Sequence, residues 1–178
     1  MKLNRTDIFR LLPFTAIAIL LTMTAIMESC NDIGCTDLRS SMPLAGFYSS
    51  STDSKISVDS ILLGGIGAPN DSLLVDSGAI TSSLYLPFRS ENTSTSYFIK
   101  YISVALDYPQ LTDTVTFNYT STPYFVSADC GAMYVYEVKS VIHTRHLIDS
   151  IAITDSVINN IDMERIKFYF RTSEPDDQ

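Results

Sequence analysis

Two histidines, three cysteines and a recurrent Asp-Ser/Thr pair are the residues of this chain with the most chemical potential. The histidines form one group, His143-Thr144-Arg145-His146. A spacing of three places both rings on one side of a helix, where they could share a metal, and on opposite sides of a strand, where they could not. Ser140-Val141-Ile142 precedes the group and Leu147-Ile148 follows it, so it reads as a hairpin tip with surface histidines, and no metal site is expected. Nucleophilic catalysis needs a hydroxyl or thiol with a base and an orienting group. Serine is abundant, but the chain has no Gly-x-Ser-x-Gly elbow. Gly64-Gly65-Ile66-Gly67 is rich in glycine, yet Pro69-Asn70-Asp71 follows it, which fits a hairpin connection rather than a phosphate cradle opening a helix. No calcium loop of the Asp-x-Asp-x-Asp-Gly kind is present, although the chain holds 15 Asp against 5 Glu. No catalytic residue and no cofactor is assigned.

The Asp-Ser/Thr pair followed by a small apolar residue occurs five times, at Asp59-Ser60-Ile61, Asp71-Ser72-Leu73, Asp113-Thr114-Val115, Asp149-Ser150-Ile151 and Asp155-Ser156-Val157. It resembles the acceptor motif for O-glycosylation in the Bacteroidota envelope. That resemblance makes the hydroxyls of Ser60, Ser72, Thr114, Ser150 and Ser156 candidate glycan attachment points, and glycans there would solubilise the surface. The competing reading is architectural, because Asp-Ser and Asp-Thr stabilise turns through side-chain-to-backbone hydrogen bonds.

The first 29 residues differ from the rest. Met1 to Arg10 carries Lys2, Arg5 and Arg10 against Asp7, and Leu11 to Met27 runs for 17 residues without a charge. A basic start, an apolar stretch and a small residue before a cut make a secretory signal; the stretch is at the short limit for a membrane-spanning anchor, which is the alternative. Ala25-Ile26-Met27-Glu28-Ser29-Cys30 resembles the lipobox of bacterial lipoproteins, with Ser29 as the small residue, though Glu28 and the lack of a Leu three residues before the cysteine depart from it. The resemblance implies that the Cys30 thiol is acylated and becomes the mature N-terminus; an ordinary signal cut or a structural Cys30 are the alternatives. An exported chain meets an oxidising space, where the two further cysteines, Cys35 and Cys130, are expected to pair. Two buried free thiols are the rival reading.

These groups need a scaffold, and its composition favours strands. Val, Ile, Tyr, Phe and Thr make up 53 of the 149 residues after Ser29, against 36 for Ala, Leu, Met, Glu, Gln, Lys and Arg together. Ile56 to Ile61, Thr114 to Tyr119 and Ile166 to Phe170 alternate apolar and polar residues, the period of a strand with one side on a core. Breaks at Gly64-Gly65, Pro69, Gly78, Pro87, Pro109, Pro123 and Gly131 divide the chain into candidate strands. These lie near 45–49, 56–63, 72–76, 82–87, 96–107, 113–119, 124–127, 131–142, 147–154 and 165–171, with one helical turn around Ile158 to Met163. The expected architecture is an all-β, antiparallel, immunoglobulin-like sandwich over 44–171, after a signal (1–29) and a tether (30–43) and before a polar tail (172–178). The aromatic clusters Tyr97-Phe98, Tyr134-x-Tyr136 and Phe168-Tyr169-Phe170 are split by this period between the core and a candidate binding surface.

The order of features resembles an uncharacterised family of small exported proteins from Bacteroidota. The resemblance is carried by Cys30 to Cys35, Leu84-Tyr85-Leu86-Pro87-Phe88, Leu106-Asp107-Tyr108, Phe125 to Gly131 and Ile166 to Phe170. It implies a lipid-anchored envelope β protein, on the periplasmic side of the outer membrane or at the cell surface, and supplies no activity. Without its first 29 residues the chain has 9 basic and 18 acidic residues, a net charge of −9. Nucleic acid is therefore excluded as a partner, and attachment to anionic lipid must come from the anchor. The expectation is a non-catalytic binding or structural module that meets the membrane through its anchor and an envelope protein or glycan through its surface. The alternatives are a hydrolase-like envelope enzyme with a dispersed site, or a sheet-augmenting subunit of an outer-membrane complex.

Overall fold

Alternating apolar residues build two sheets that bury their inner faces against each other. The computed structural model describes residues 40–76, 80–102, 111–128 and 130–172. The signal segment, Cys30, Cys35, most of the tether and the tail from 173 onward lie outside these residues.

The strands are β1 (Leu44–Ser49), β2 (Ile61–Gly65), β3 (Leu73–Val75), β4 (Ser83–Tyr85), β5 (Ser94–Tyr101), β6 (Thr112–Ser127), β7 (Gly131–His143), β8 (Ile148–Ile153), β9 (Val157–Ile158) and β10 (Glu164–Phe170), with a short 3-10 turn at Pro69–Asp71. One sheet has the order β4-β1-β10-β8 and the other β3-β2-β5-β6-β7-β9. Pairing is antiparallel except between β1 and β10, which run parallel with Phe47 beside Phe168. This one pair departs from the expected antiparallel arrangement. It joins strands far apart in sequence, so no short turn constrains their relative direction.

The core is the period-two pattern realised. Ala45 and Phe47 of β1 and Ile166, Phe168 and Phe170 of β10 are buried, as are Ile61, Leu63, Ile99, Val115 and Phe117 of the other sheet. Phe88 caps this core at one end: its ring stacks on Tyr119 with centroids 4.5 Å apart and meets Tyr136 edge-on at 5.5 Å. Gly64 marks a close approach of backbone to ring, since a Cβ there would lie 2.8 Å from Phe98.

Three local expectations are corrected. Pro123 does not divide two strands; β6 runs through it for 16 residues. Tyr119 donates its N–H to Thr93 O on the β5 side, so by alternation Pro123 also turns its backbone to that side. The chain has no β5 partner there, and the missing N–H of proline breaks no ladder bond. Residues 143–147 are not a hairpin tip but a corner between sheets, since β7 and β8 belong to different ones. The helical turn expected at Ile158 to Met163 is absent: Ile158 pairs with Tyr136, and Asn159 Oδ1 accepts the Ile161 N–H at 3.0 Å, a local turn bond that competes with helix.

Candidate functional site

The strongest polar cluster is one that the spacing of residues does not announce. Asp113 lies at the start of β6 in phase with Val115 and Phe117, so its carboxylate faces inward and is fully buried. Oδ1 accepts the Thr144 hydroxyl at 2.6 Å and the His146 N–H at 2.9 Å, and lies 3.2 Å from His146 Nδ1. Oδ2 accepts the Tyr101 hydroxyl at 2.9 Å and the N–H groups of Leu147 and Ile148 at 2.9 and 3.0 Å. Burial pushes the Asp113 pKa up, but these donors outweigh it and hold the carboxyl below its usual range. Burial first, and the carboxylate second, push the Tyr101 phenol up, so it stays a neutral donor.

A buried carboxylate against an imidazole is the orienting half of an acid–base pair. Here the hydroxyls of the cluster, Thr144 and Tyr101, are directed at the carboxylate rather than at the imidazole. What the arrangement does is fix the corner between the sheets: one side chain ties β6 to three successive backbone N–H groups. His143 stands apart, with Nε2 3.5 Å from Asp149 O. Among the described residues, no group of three His, Cys, Asp or Glu is placed to hold a metal.

Other members of the Asp-Ser/Thr series also have architectural partners. Asp155 Oδ1 accepts the Val157 N–H at 2.9 Å, and Oδ2 meets Arg165 Nε at 3.3 Å. The backbone bond from Val157 is the main cause holding the Asp155 carboxyl low; burial opposes it, and Arg165 adds to the lowering. Arg165 is itself buried, and its two remaining donor groups reach Ile161 O at 2.7 Å and Asn159 Oδ1 at 2.6 Å. Asp149 Oδ1 lies 3.2 Å from Arg171 Nε. Of the five candidate glycan acceptors, Thr114 and Ser150 are half-buried within β6 and β8. Ser60 is half-buried in a bend with φ 54°, and Ser72 and Ser156 are exposed.

Glu164 forms a further anchor at the parallel pair. It accepts Tyr48 OH at 2.6 Å and Lys55 Nζ at 2.8 Å. That hydrogen bond raises the Tyr48 pKa to about 12, and a Cβ on Gly46 would overlap the Glu164 carboxylate.

The aromatic clusters divide more sharply than the sequence indicates. Tyr97, Phe168 and Phe170 are buried. Tyr134 and Tyr136 are on the same face of β7, yet Tyr136 is buried and Tyr134 exposed. The cause is the length of the β6–β7 hairpin. Its inner face carries Tyr119, Ser121, Pro123 and Phe125 on β6, paired with Val138, Tyr136, Tyr134 and Ala132 on β7. Residues 87–90 cover the inner part of this row, with Tyr136 OH on Phe88 O and Ser121 Oγ on Ser90 O. Beyond them, Pro123, Ala132, Tyr134 and Phe125 emerge, the last 67% exposed, with Tyr124 on the opposite face 54% exposed. A hairpin arm thus carries a core-type face past the end of the core.

Cys130 sits at the turn of this arm, half-buried, with its N–H on Ser127 Oγ at 3.0 Å. Its expected partner Cys35 lies outside the described residues.

A cleft of about 220 Å³ adjoins the arm, lined by Ser40, Met42, Tyr85, Asn160, Ile161 and Asp162. Another of about 250 Å³ lies at the Tyr101 end, lined in part by Val58, Asp59, Leu147 and Arg171. Both are smaller than a usual small-molecule site of about 300 Å³ or more. A wider open trough of about 450 Å³ runs between the outer strands β3 and β4, past Leu74, Ile80 and Leu84.

Comparison with known proteins adds a family and no activity. No curated protein and no solved structure matches the chain. A family model described as a family of unknown function, DUF6452, matches residues 60–170, from the bend before β2 to the last residue of β10. That span includes the buried Asp113, the sheet-to-sheet corner and the whole arm, and it is more than half of the chain, which therefore belongs to this family of unknown function.

Proposed function

We propose that this protein is a non-catalytic binding or structural module of a bacterial cell envelope, held at a membrane through its N-terminus. The observation that carries the reading is the exposed inner face of the arm. Asp113, Arg165 and Glu164 are engaged in holding the fold, whereas Pro123, Phe125 and Tyr134 extend an exposed, largely apolar face. The basic and apolar residues before Cys30 support export, and Cys30 is the proposed lipid attachment point.

The proposed Cys35–Cys130 bridge has support from reach. Ser41 Oγ lies 3.9 Å from Met133 Sδ, three residues along β7 from Cys130. Six residues separate Ser41 from Cys35, and such a stretch spans up to roughly 20 Å. Glycans on the exposed Ser72 and Ser156 fit the same surface role.

Two experiments test this reading. Cells fed a labelled fatty acid should label the wild-type protein and not Cys30→Ala; label on the variant excludes Cys30 as the acylated residue. Cross-linking in native membranes followed by co-purification should recover an envelope component bound to the domain, and recovery of none overturns the binding reading. A second reading, addition of a partner strand, is favoured by β8, which at six residues is the longest outer strand of either sheet.

A further inference from the structure

We propose that the β6–β7 arm is a lipid contact: its tip lies in the headgroup region of the membrane and sets the orientation of the domain on that surface. The proposal rests on the membrane attachment argued above.

The described chain enters the domain at Ser40, and Ser41 touches Met133 on the arm. The described chain therefore begins on the arm side of the domain. Eleven residues separate Cys30 from Ser41, a tether of at most roughly 40 Å. The opposite end of the hairpin, at Ile142, lies roughly 30 Å further along β7 at about 3.3 Å per residue.

The composition of the arm suits the lipid interface. Across residues 114–136 a single side chain is charged, that of Asp129. The tip presents Phe125, Tyr124 and Tyr134 together with the hydroxyls of Thr122 and Ser127, a mixture of apolar ring and polar edge that partitions to the headgroup level. Met42 and Ile161, 37% and 60% exposed, line the cleft next to Ser40, where the described chain begins. The nearby acid Asp162 has its Oδ1 on the Tyr85 hydroxyl at 2.6 Å. No lysine or arginine occurs in residues 114–136, and their one charge, on Asp129, is negative, so the contact draws on its aromatic rings and not on anionic lipid, in keeping with a domain of net charge −9.

The chain has no tryptophan, so one introduced indole reports its own surroundings. Phe125→Trp replaces an exposed ring by a larger one, and Ile142→Trp, at a residue 64% exposed at the far end, is the control. Each full-length variant is expressed in a host that processes it, purified from membranes in detergent and reconstituted into phosphatidylcholine vesicles, with and without lipids brominated high on the acyl chain. The protein should float with the vesicles. Emission of Phe125→Trp should shift to the blue and fall about twofold with brominated lipid, while Ile142→Trp stays unquenched. Raising salt from about 0.1 M to about 1 M should change neither result. Flotation without quenching at position 125 overturns the lipid contact and leaves attachment standing. A blue shift without quenching also overturns it, because protein rather than lipid then covers the tip. Failure to float overturns attachment and the contact together.

Discussion

Replacing Asp113 by Asn keeps the shape of the side chain and removes its charge. The carboxylate accepts two hydroxyls and three backbone N–H groups and also meets the His146 ring. An amide has a single oxygen. With that oxygen on the Tyr101 side, its NH₂ faces the His146 N–H; turned round, it faces those of Leu147 and Ile148. Either orientation leaves at least one buried donor opposed by another donor, which costs about 1–3 kcal/mol, and the surviving bonds lose their charge assistance. We expect Asp113→Asn to lower stability by about 2–3 kcal/mol and Asp113→Ala by about 4–5 kcal/mol, a large part of the 5–15 kcal/mol usual for a domain. Urea unfolding at pH 7 followed by circular dichroism measures both. The folded pKa of Asp113 is depressed, so its contribution is present above the unfolded value of about 3.9 and is lost as pH falls through the folded value. The gap between wild type and Asp113→Asn should therefore narrow below about pH 4. Comparing the two proteins cancels the carboxylates they share. A loss under about 0.5 kcal/mol at pH 7, or a gap unchanged down to pH 3, refutes the clasp.

Other substitutions probe separate parts. His146→Ala should cost under about 1 kcal/mol in the same assay, because its ring is 46% exposed while its backbone N–H keeps the bond to Asp113. Arg165→Met strands Ile161 O and leaves Asn159 Oδ1 with only the Ile161 N–H; a loss of about 2–4 kcal/mol and faster limited proteolysis within 155–163 are expected. Gly64→Ala pushes a methyl against the Phe98 ring, and a loss of about 1–3 kcal/mol should appear as a lower urea midpoint. The proposed Cys35–Cys130 bridge should show as a mass two hydrogens below the reduced chain; it would close a loop of about 95 residues, and its removal should cost about 4–5 kcal/mol.

Much of the sandwich is legible in the chain because a strand imposes a period of two on the side chains it buries. Val115, Phe117 and Tyr119, or Ile166, Phe168 and Phe170, declare their inner face by alternation alone. The same alternation marks Asp113 as a charge on an apolar face, a signal available in the sequence and obscured by reading Asp113-Thr114 as a surface motif. Pro123 was legible as a residue unable to donate, but its consequence depends on whether a neighbour strand lies on that side. Tertiary structure also separates Tyr134 from Tyr136. Both have the same phase on β7, and only the place where residues 87–90 stop covering the hairpin makes one a core residue and the other surface. Sequence by itself determined the strand content, the inward faces and the uncharged segment at the front, because these follow from local periodicity and composition. The parallel β1–β10 pair, the six contacts converging on Asp113 and the exposed arm were decided only by the tertiary structure, because each depends on which distant segment lies alongside.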